Sequence, residues 1–172
     1  SHPSLTVTAQ VLDMNGTKKW EQTATVGSNE DTTVKCFKVE YPSDLTDVYF
    51  IKLTMTENGK TVSENVYWKG KEDGNYQALN ALPKTNLTVS TDKSKTADGW
   101  QLTTTLKNDS STPALMVRLK VVDNKGERML PVYFSDNYLF LFPGESKTVT
   151  MRLNNADTRG EEPQVAVLGF NL

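Results

Sequence analysis

Histidine and cysteine are almost absent from this 172-residue chain, which contains one of each, His2 and Cys36. A Ser-His or Cys-His nucleophile pair needs a histidine beside the nucleophile, and ordinary zinc sites need several His or Cys ligands. A single cysteine forms no internal disulfide, and its place in an alternating run predicts a small buried side chain. The sequence therefore predicts no catalytic residue of these kinds, no metal site and no cofactor.

Long apolar runs and a strong net charge are also missing. No stretch approaches the ~18 apolar residues of a membrane-spanning helix, and no segment has the pattern of a signal peptide. The net charge is −2, with lysines and acidic residues interspersed, so no electrostatic footprint for nucleic acid or an anionic membrane is present. We expect neither nucleic acid nor a membrane as a partner.

Carboxylates are numerous but do not form a recognisable catalytic or calcium-binding motif. Glu161 and Glu162 are neighbours, which point to opposite sides of an extended chain, whereas a glycosidase needs two carboxyl groups facing each other across a sugar. The segments beginning at Asp13 and Asp123 resemble half a calcium loop, but both lack its later glycine and bidentate glutamate. Hairpin turns explain both segments, and we expect no catalytic residue in this chain.

The chain does contain an internal repeat at an offset of 110 positions, an alternating apolar run ending in an Asp-x-x-Gly turn. The repeated positions are Leu5, Val7, Val11, Leu12, Asp13 and Gly16, which recur as Leu115, Val117, Val121, Val122, Asp123 and Gly126. Strand-like sequence from Leu87 to Pro113 precedes the second copy, whereas only four residues precede the first. The repeat predicts a complete β domain preceded by one that lacks its opening strands, and hence a fragment of a larger protein.

Alternation with a period of two predicts strands along nearly the whole chain. Asn58-Gly59 is a strong signal for a two-residue hairpin, because both central residues of a type I′ turn need positive φ. A third strand is expected at 32–39 and another at 128–133, and no segment has a helical period. The predicted fold is all-β, with two tandem immunoglobulin-like β-sandwich domains at 1–70 and 86–172 and a linker at 71–85.

Aromatic side chains are the remaining candidates for binding, since flat rings can stack on sugars, although most such residues in a small sandwich fill its core. Tyr67 and Trp68 are informative because adjacent residues on a strand cannot both face the core. At least one of the two must face solvent, the linker or another domain.

Two stretches carry a family resemblance. The first runs from Ser63 to Gly70 (SENVYWKG) and continues with Tyr76-Gln77-Ala78-Leu79 and Leu82-Pro83; the second runs from Tyr133 to Ser146 (YFSDNYLFLFPGES). With the ending Val167-Leu168-Gly169-Phe170-Asn171, they resemble the C-terminal immunoglobulin-like domains of glycoside hydrolase family 2, in the β-mannosidase and exo-β-glucosaminidase branch. None of these stretches is a catalytic motif.

The resemblance implies a parent enzyme that hydrolyses terminal β-linked mannosides or glucosaminides with retention, using two glutamates on a (β/α)8 barrel. Neither glutamate can be placed on this sequence. The fragment would be a non-catalytic scaffold whose partners are that missing barrel and its carbohydrate substrate, in a periplasmic or secreted bacterial enzyme. Asp136, Asn137 and Tyr138 are the expected rim or inter-domain contact, with Tyr67 and Trp68 as further candidates.

Other roles stay open at this stage. Asp136 and Asn137 could simply form an Asx-type turn with Tyr138 pointing inward. A free-standing carbohydrate-binding module or a cell-surface adhesion array is the alternative function, because sandwich folds host all of these roles. The incomplete first domain would also leave unpaired sheet edges, which predicts self-association at high concentration.

Overall fold

The structure, a computed structural model, describes residues 2–172 and is all-β, with antiparallel sheets and two short 3₁₀ helices. The chain divides into two compact units, Ser1–Leu82 and Pro83–Leu172. No helix among the described residues is long and apolar enough to cross a membrane.

The first unit contains one four-stranded sheet in the order β2-β1-β3-β4. Its strands are β1 (His2–Asp13), β2 (Lys18–Ser28), β3 (Val48–Glu57) and β4 (Lys60–Gly70). Buried apolar residues alternate with polar ones along the central strand β1, and Val11 and Leu12 lie next to Ile51 and Phe50 of β3 on opposite faces. After β4 the chain turns into a 3₁₀ helix, Gln77–Ala81, whose Leu79 is buried.

The predicted Asn58-Gly59 hairpin is confirmed. The φ angles are 50° at Asn58 and 75° at Gly59, as a type I′ turn requires. Glu57 and Lys60 pair directly across the turn.

The strand predicted at 32–39 is wrong. Residues 32–39 form no ladder, and they pair with neither edge strand of the sheet, β2 or β4. Phe37 instead packs edge-on against Trp20 of β2, with ring centroids 6.4 Å apart. Cys36, expected to be buried, is only half-buried in this segment. The alternating pattern of residues 32–39 therefore reflects side chains that pack against a sheet and not a backbone that pairs with one of its strands.

The second unit is a two-sheet sandwich. One sheet has the order β5-β6-β10-β8 and the other β11-β7-β9. The strands are β5 (Thr88–Lys95), β6 (Gly99–Lys107), β7 (Ala114–Val122), β8 (Tyr133–Phe134), β9 (Leu139–Leu141), β10 (Ser146–Asn154) and β11 (Gln164–Leu168). Buried side chains of both sheets meet in one core, among them Leu102, Leu106, Leu119, Leu141 and Met151.

The strand predicted at 128–133 is largely replaced by irregular chain. Only an isolated bridge, Val122 with Arg128, and the two-residue strand β8 form there. The backbone around Met129 is held by one hydrogen bond from its N–H to the Val121 carbonyl, 3.0 Å long. Met129 is buried in the core, so the segment is anchored by packing rather than by a ladder.

Candidate functional site

Asn137 fixes the loop on which the rim contact was predicted. Its Oδ1 accepts the Leu119 N–H at 2.9 Å, and its Nδ2 donates to the Leu119 carbonyl at 3.1 Å. The side-chain amide therefore bonds to β7 in the way that the backbone of a neighbouring strand would. This two-point attachment restrains the loop between β8 and β9, so Asn137 acts by positioning its neighbours.

Those neighbours, Asp136 and Tyr138, are exposed. Tyr138 has a φ of 58°, a left-handed conformation that is strained for a bulky residue, and half of its surface is accessible. The Arg118 guanidinium lies over its ring, 5.5 Å from the centroid. Asp136 accepts the Asn137 N–H at 2.7 Å through Oδ1. The loop thus displays an aromatic ring and a carboxylate, and Tyr138 does not point inward.

Tyr67 and Trp68 lie on β4 in the first unit, on opposite faces of the sheet. Tyr67 pairs with Ile51 and Trp68 with Phe50. Tyr67 is exposed, and Trp68 leaves 37% of its surface accessible. The Trp68 ring packs at a tilt against Tyr76, with centroids 6.0 Å apart. Both of the predicted contact residues therefore offer accessible ring surface.

A polar cleft of about 400 Å³ lies beyond the end of the β3–β4 pair, and the sequence did not predict it. Its walls are Asp47, Lys71, Glu72, Asn75, Gln77 and Ala78. The sequence predicts a linker at 71–85 and gives no apolar pattern that would indicate a cleft there. The available signal was a turn sequence in which Gly70 and Gly74 bracket three charged residues, followed by Asn75, Tyr76 and Gln77.

The other carboxylates singled out in the sequence mainly form ion pairs or hydrogen bonds within the fold. Glu162 pairs with Lys93, and Glu161 is exposed on the wall of a shallow cleft that includes Trp100. Burial alone would raise the pKa of Asp123, but hydrogen bonds from the Glu127 and Lys125 N–H groups outweigh it and lower that pKa. Among residues 2–172, no three His, Cys, Asp or Glu side chains are grouped so that they could hold a metal ion.

Two family models match the chain. The exo-β-D-glucosaminidase Ig-fold domain matches residues 65–172, and the mannosidase Ig/CBM-like domain matches residues 2–71. The two matches together span the whole described chain.

Individual relatives agree with these models. The chain is 35% identical to an exo-β-D-glucosaminidase of Amycolatopsis orientalis, over 97% of the chain and 18% of the relative. It is 30% identical to an exo-β-D-glucosaminidase of Streptomyces avermitilis, over 97% of the chain and 21% of the relative. The chain thus spans about a fifth of the length of these relatives.

Solved structures give the same picture. The crystal structure of the Amycolatopsis orientalis exo-chitosanase superimposes with a TM-score of 0.91 at 30% identity, over 99% of this chain and 23% of that one. A β-D-mannosidase from Dictyoglomus thermophilum, at 14% identity, has a TM-score of 0.57 over 99% of this chain and 19% of its own. This second likeness concerns the fold alone.

Proposed function

Because the chain belongs to the exo-β-D-glucosaminidase Ig-fold domain family, we propose that its parent protein is a retaining exo-β-glucosaminidase and that this region is its non-catalytic scaffold. The observation that carries the proposal is 35% identity to such an enzyme over 97% of the chain. The region covers about a fifth of the relatives' length, which leaves room in the parent for a catalytic barrel.

The chemistry would lie in that barrel. Retaining glycosidases place two carboxyl groups on either side of the scissile bond, one as nucleophile and one as acid and later base. In the proposal, the two units described here contribute packing surface and a wall beside that site. Glucosaminides are favoured over mannosides because the two relatives described above are exo-β-D-glucosaminidases.

Within this proposal, the loop Asp136-Asn137-Tyr138 is the contact with the rest of the parent enzyme, at or near the rim of its active site. Strained backbone persists only where the surroundings hold it in place, and such strain concentrates at functional sites. Here Asn137 holds the loop through two bonds to Leu119. The strain at Tyr138 and the exposure of its ring together support a role for the loop in contacting another surface.

The rim is tested in the parent enzyme with Tyr138→Asn, since asparagine tolerates a left-handed conformation. Tyr133→Asn is the matched control, because Tyr133 is also an exposed tyrosine of the second unit. We expect Tyr138→Asn to lower kcat/KM on a chromogenic β-D-glucosaminide about tenfold, a loss of ~1.4 kcal/mol in transition-state stabilisation, with thermal stability unchanged. Equal kinetics for the two variants would remove the rim role and leave the scaffold role in place.

The scaffold role is tested by sequencing the reading frame upstream of Ser1 and assaying the encoded protein. Alternating strands and helices with two glutamates at strand ends, together with release of glucosamine, are expected. Further sandwich repeats without a barrel would overturn the proposal in favour of an adhesion array. A periplasmic or secreted location is part of the proposal, and an export signal in the same reading frame is its test.

A further inference from the structure

The cleft at the end of the β3–β4 pair, defined by Asp47, Lys71, Glu72, Asn75, Gln77 and Ala78, has the composition of a ligand site. Residues with carboxylate, amide and ammonium side chains line about 400 Å³ of space. A ligand there would meet donors and acceptors close together, as the hydroxyl groups of a sugar require. Apart from the Ala78 methyl, the lining side chains are polar.

The walls of this cleft are fixed by hydrogen bonds within the turn. The Lys71 N–H donates to the Asp47 carbonyl at 2.8 Å, which ties the turn to the start of β3. Asn75 donates twice to Glu72, from its N–H to the carbonyl at 3.1 Å and from Nδ2 to Oε2 at 3.0 Å. A Cβ atom at Gly70 would lie 2.5 Å from the Asn75 carbonyl oxygen, so the turn closes tightly on itself. A fixed site loses little conformational entropy when it binds.

An aromatic pair flanks the cleft residues in the sequence. Tyr76 lies between the wall residues Asn75 and Gln77, and its ring packs against Trp68, three residues before Lys71. Trp68 and Tyr76 each leave 37% of the residue surface accessible. The interplanar angle of 43° makes them a tilted surface rather than a flat stack. Rings that are accessible in this way can bind the apolar face of a pyranose, and their π-faces attract cations.

The charge balance favours a cationic ligand. Asp47 and Glu72 bring two carboxylates to the cleft, and the neighbouring Asp73 adds a third on the same turn. Lys71 is the single cation among the residues that line the wall. A protonated amine attached to a hydroxylated ring matches this arrangement.

We propose that this cleft and the Trp68–Tyr76 ring pair form an accessory binding site for β-linked amino-sugar oligomers. The choice of an amino sugar, rather than another cationic carbohydrate, rests on the proposed function. The site would hold a polymeric substrate on the scaffold while its end is cleaved elsewhere in the parent.

The experiment is a titration of the 172-residue chain with the tetramer of β-1,4-linked glucosamine, followed by calorimetry and by amide chemical shifts. Tyr76→Ala removes one ring of the Trp68–Tyr76 pair, and Glu72→Gln removes one charge but keeps an oxygen that can accept from Asn75. Tyr133→Ala and Glu161→Gln are the matched controls, an exposed tyrosine and an exposed glutamate of the second unit. Circular dichroism verifies that each variant is folded.

We expect binding at one site, with shift changes centred on residues 70–78. Tyr76→Ala and Glu72→Gln should each lower the association constant about fivefold, the size of a weak cation–π or exposed ion-pair contribution. The controls should bind like the original chain, and the N-acetylated tetramer should bind more weakly because it lacks the charge. No binding, equal binding by all variants, or shifts confined to the second unit would each overturn the site.

The experiments distinguish failure of the accessory binding site from failure of the proposed function of the parent enzyme. If the parent hydrolyses glucosaminides but the chain binds no tetramer, only the accessory site falls. If the chain binds the tetramer but the parent has no hydrolase activity, the site stands and the proposed function falls. In an active parent, Tyr76→Ala should lower the rate on polymeric chitosan by a larger factor than the rate on a small chromogenic glucosaminide.

Discussion

Asp13 and Asp123 occupy equivalent positions in the two units and make the same hydrogen bonds. In each case Oδ1 accepts the backbone N–H groups two and four residues further on, at 2.9 Å. In each case the N–H of the aspartate also donates to the carbonyl four residues on, at 2.9 Å. The loop glycines, Gly16 and Gly126, both have a φ of 82°. The internal repeat is therefore a repeat of one turn structure, with a buried carboxylate at its centre.

The first prediction concerns the pH dependence of stability through Asp123. Its folded-state pKa lies below the ordinary value of about 4, because hydrogen bonds and nearby cations outweigh burial. The ionised side chain therefore stabilises the fold above the unfolded-state pKa, and that contribution is lost as the pH falls through the folded-state pKa. Asp123→Asn should be less stable than the original chain at pH 7, and the difference should shrink on acidification.

Urea unfolding between pH 7 and pH 3 measures this difference. Asp98→Asn serves as the control, since Asp98 is an exposed aspartate of the same unit. A stability difference for Asp123→Asn that is the same at every pH would show that the charge of Asp123 contributes nothing.

The second prediction concerns Asn171, which closes the second unit near its end. Its Oδ1 accepts the Leu115 N–H at 3.0 Å, and its Nδ2 donates to the carbonyls of Pro113 and Pro83 at 2.9 and 3.1 Å. Asn171→Ala leaves these buried groups without partners and should lower the free energy of unfolding by about 3 kcal/mol. Chemical denaturation measures the loss.

Asn154→Ala is the comparison for Asn171→Ala, because Asn154 is exposed on β10 and should change stability by less than ~0.5 kcal/mol. If the two alanine variants unfold at the same denaturant concentration, the Asn171 network is not stabilising.

The third prediction concerns Gly99, at the start of β6. A Cβ atom there would lie 2.1 Å from the Leu153 carbonyl oxygen and 2.9 Å from the Asn154 Cα, both backbone atoms of β10. The backbone cannot move away without breaking the β6–β10 ladder, so Gly99→Ala should destabilise the chain by at least about 2 kcal/mol. Thermal unfolding tests this, with the exposed neighbour change Asp98→Ala expected to be neutral. A stable Gly99→Ala variant would mean that the ladder shifts easily at this end.

Features governed by local chemistry were predictable from the sequence. The Asn58-Gly59 turn follows from the φ angles of two adjacent residues, and the Asp-x-x-Gly turns follow from a repeat of residue type and spacing. The hydrogen bonding of the Asn137 side chain to Leu119 could not be predicted from the sequence, because it joins residues 18 positions apart. The left-handed φ of Tyr138 was also hidden, since a bulky side chain gives no signal for it.

The sequence-based predictions are wrong where an alternating pattern of residues occurs without hydrogen-bonded pairing of strands. Alternation at 32–39 predicted a strand, but a period of two shows only that side chains face two environments. It does not show that the segment hydrogen-bonds to another strand, and residues 32–39 pair with neither edge strand, β2 or β4. The sequence does not predict the cleft near Glu72, because residues 71–85 break the alternating pattern and such a break is typical of a linker.

The last prediction concerns self-association through the first unit. β2 and β4 are the edges of its sheet, and Val62 on β4 is 52% exposed. Exposed strand edges pair with other chains, and lysine on such an edge discourages pairing. We expect the chain to self-associate as its concentration rises and Val62→Lys to suppress this, as measured by light scattering. Val89→Lys, on the edge strand β5 of the second unit, should leave association unchanged. A strict monomer at millimolar concentration would refute the association itself, and equal suppression by both variants would refute its assignment to the first unit.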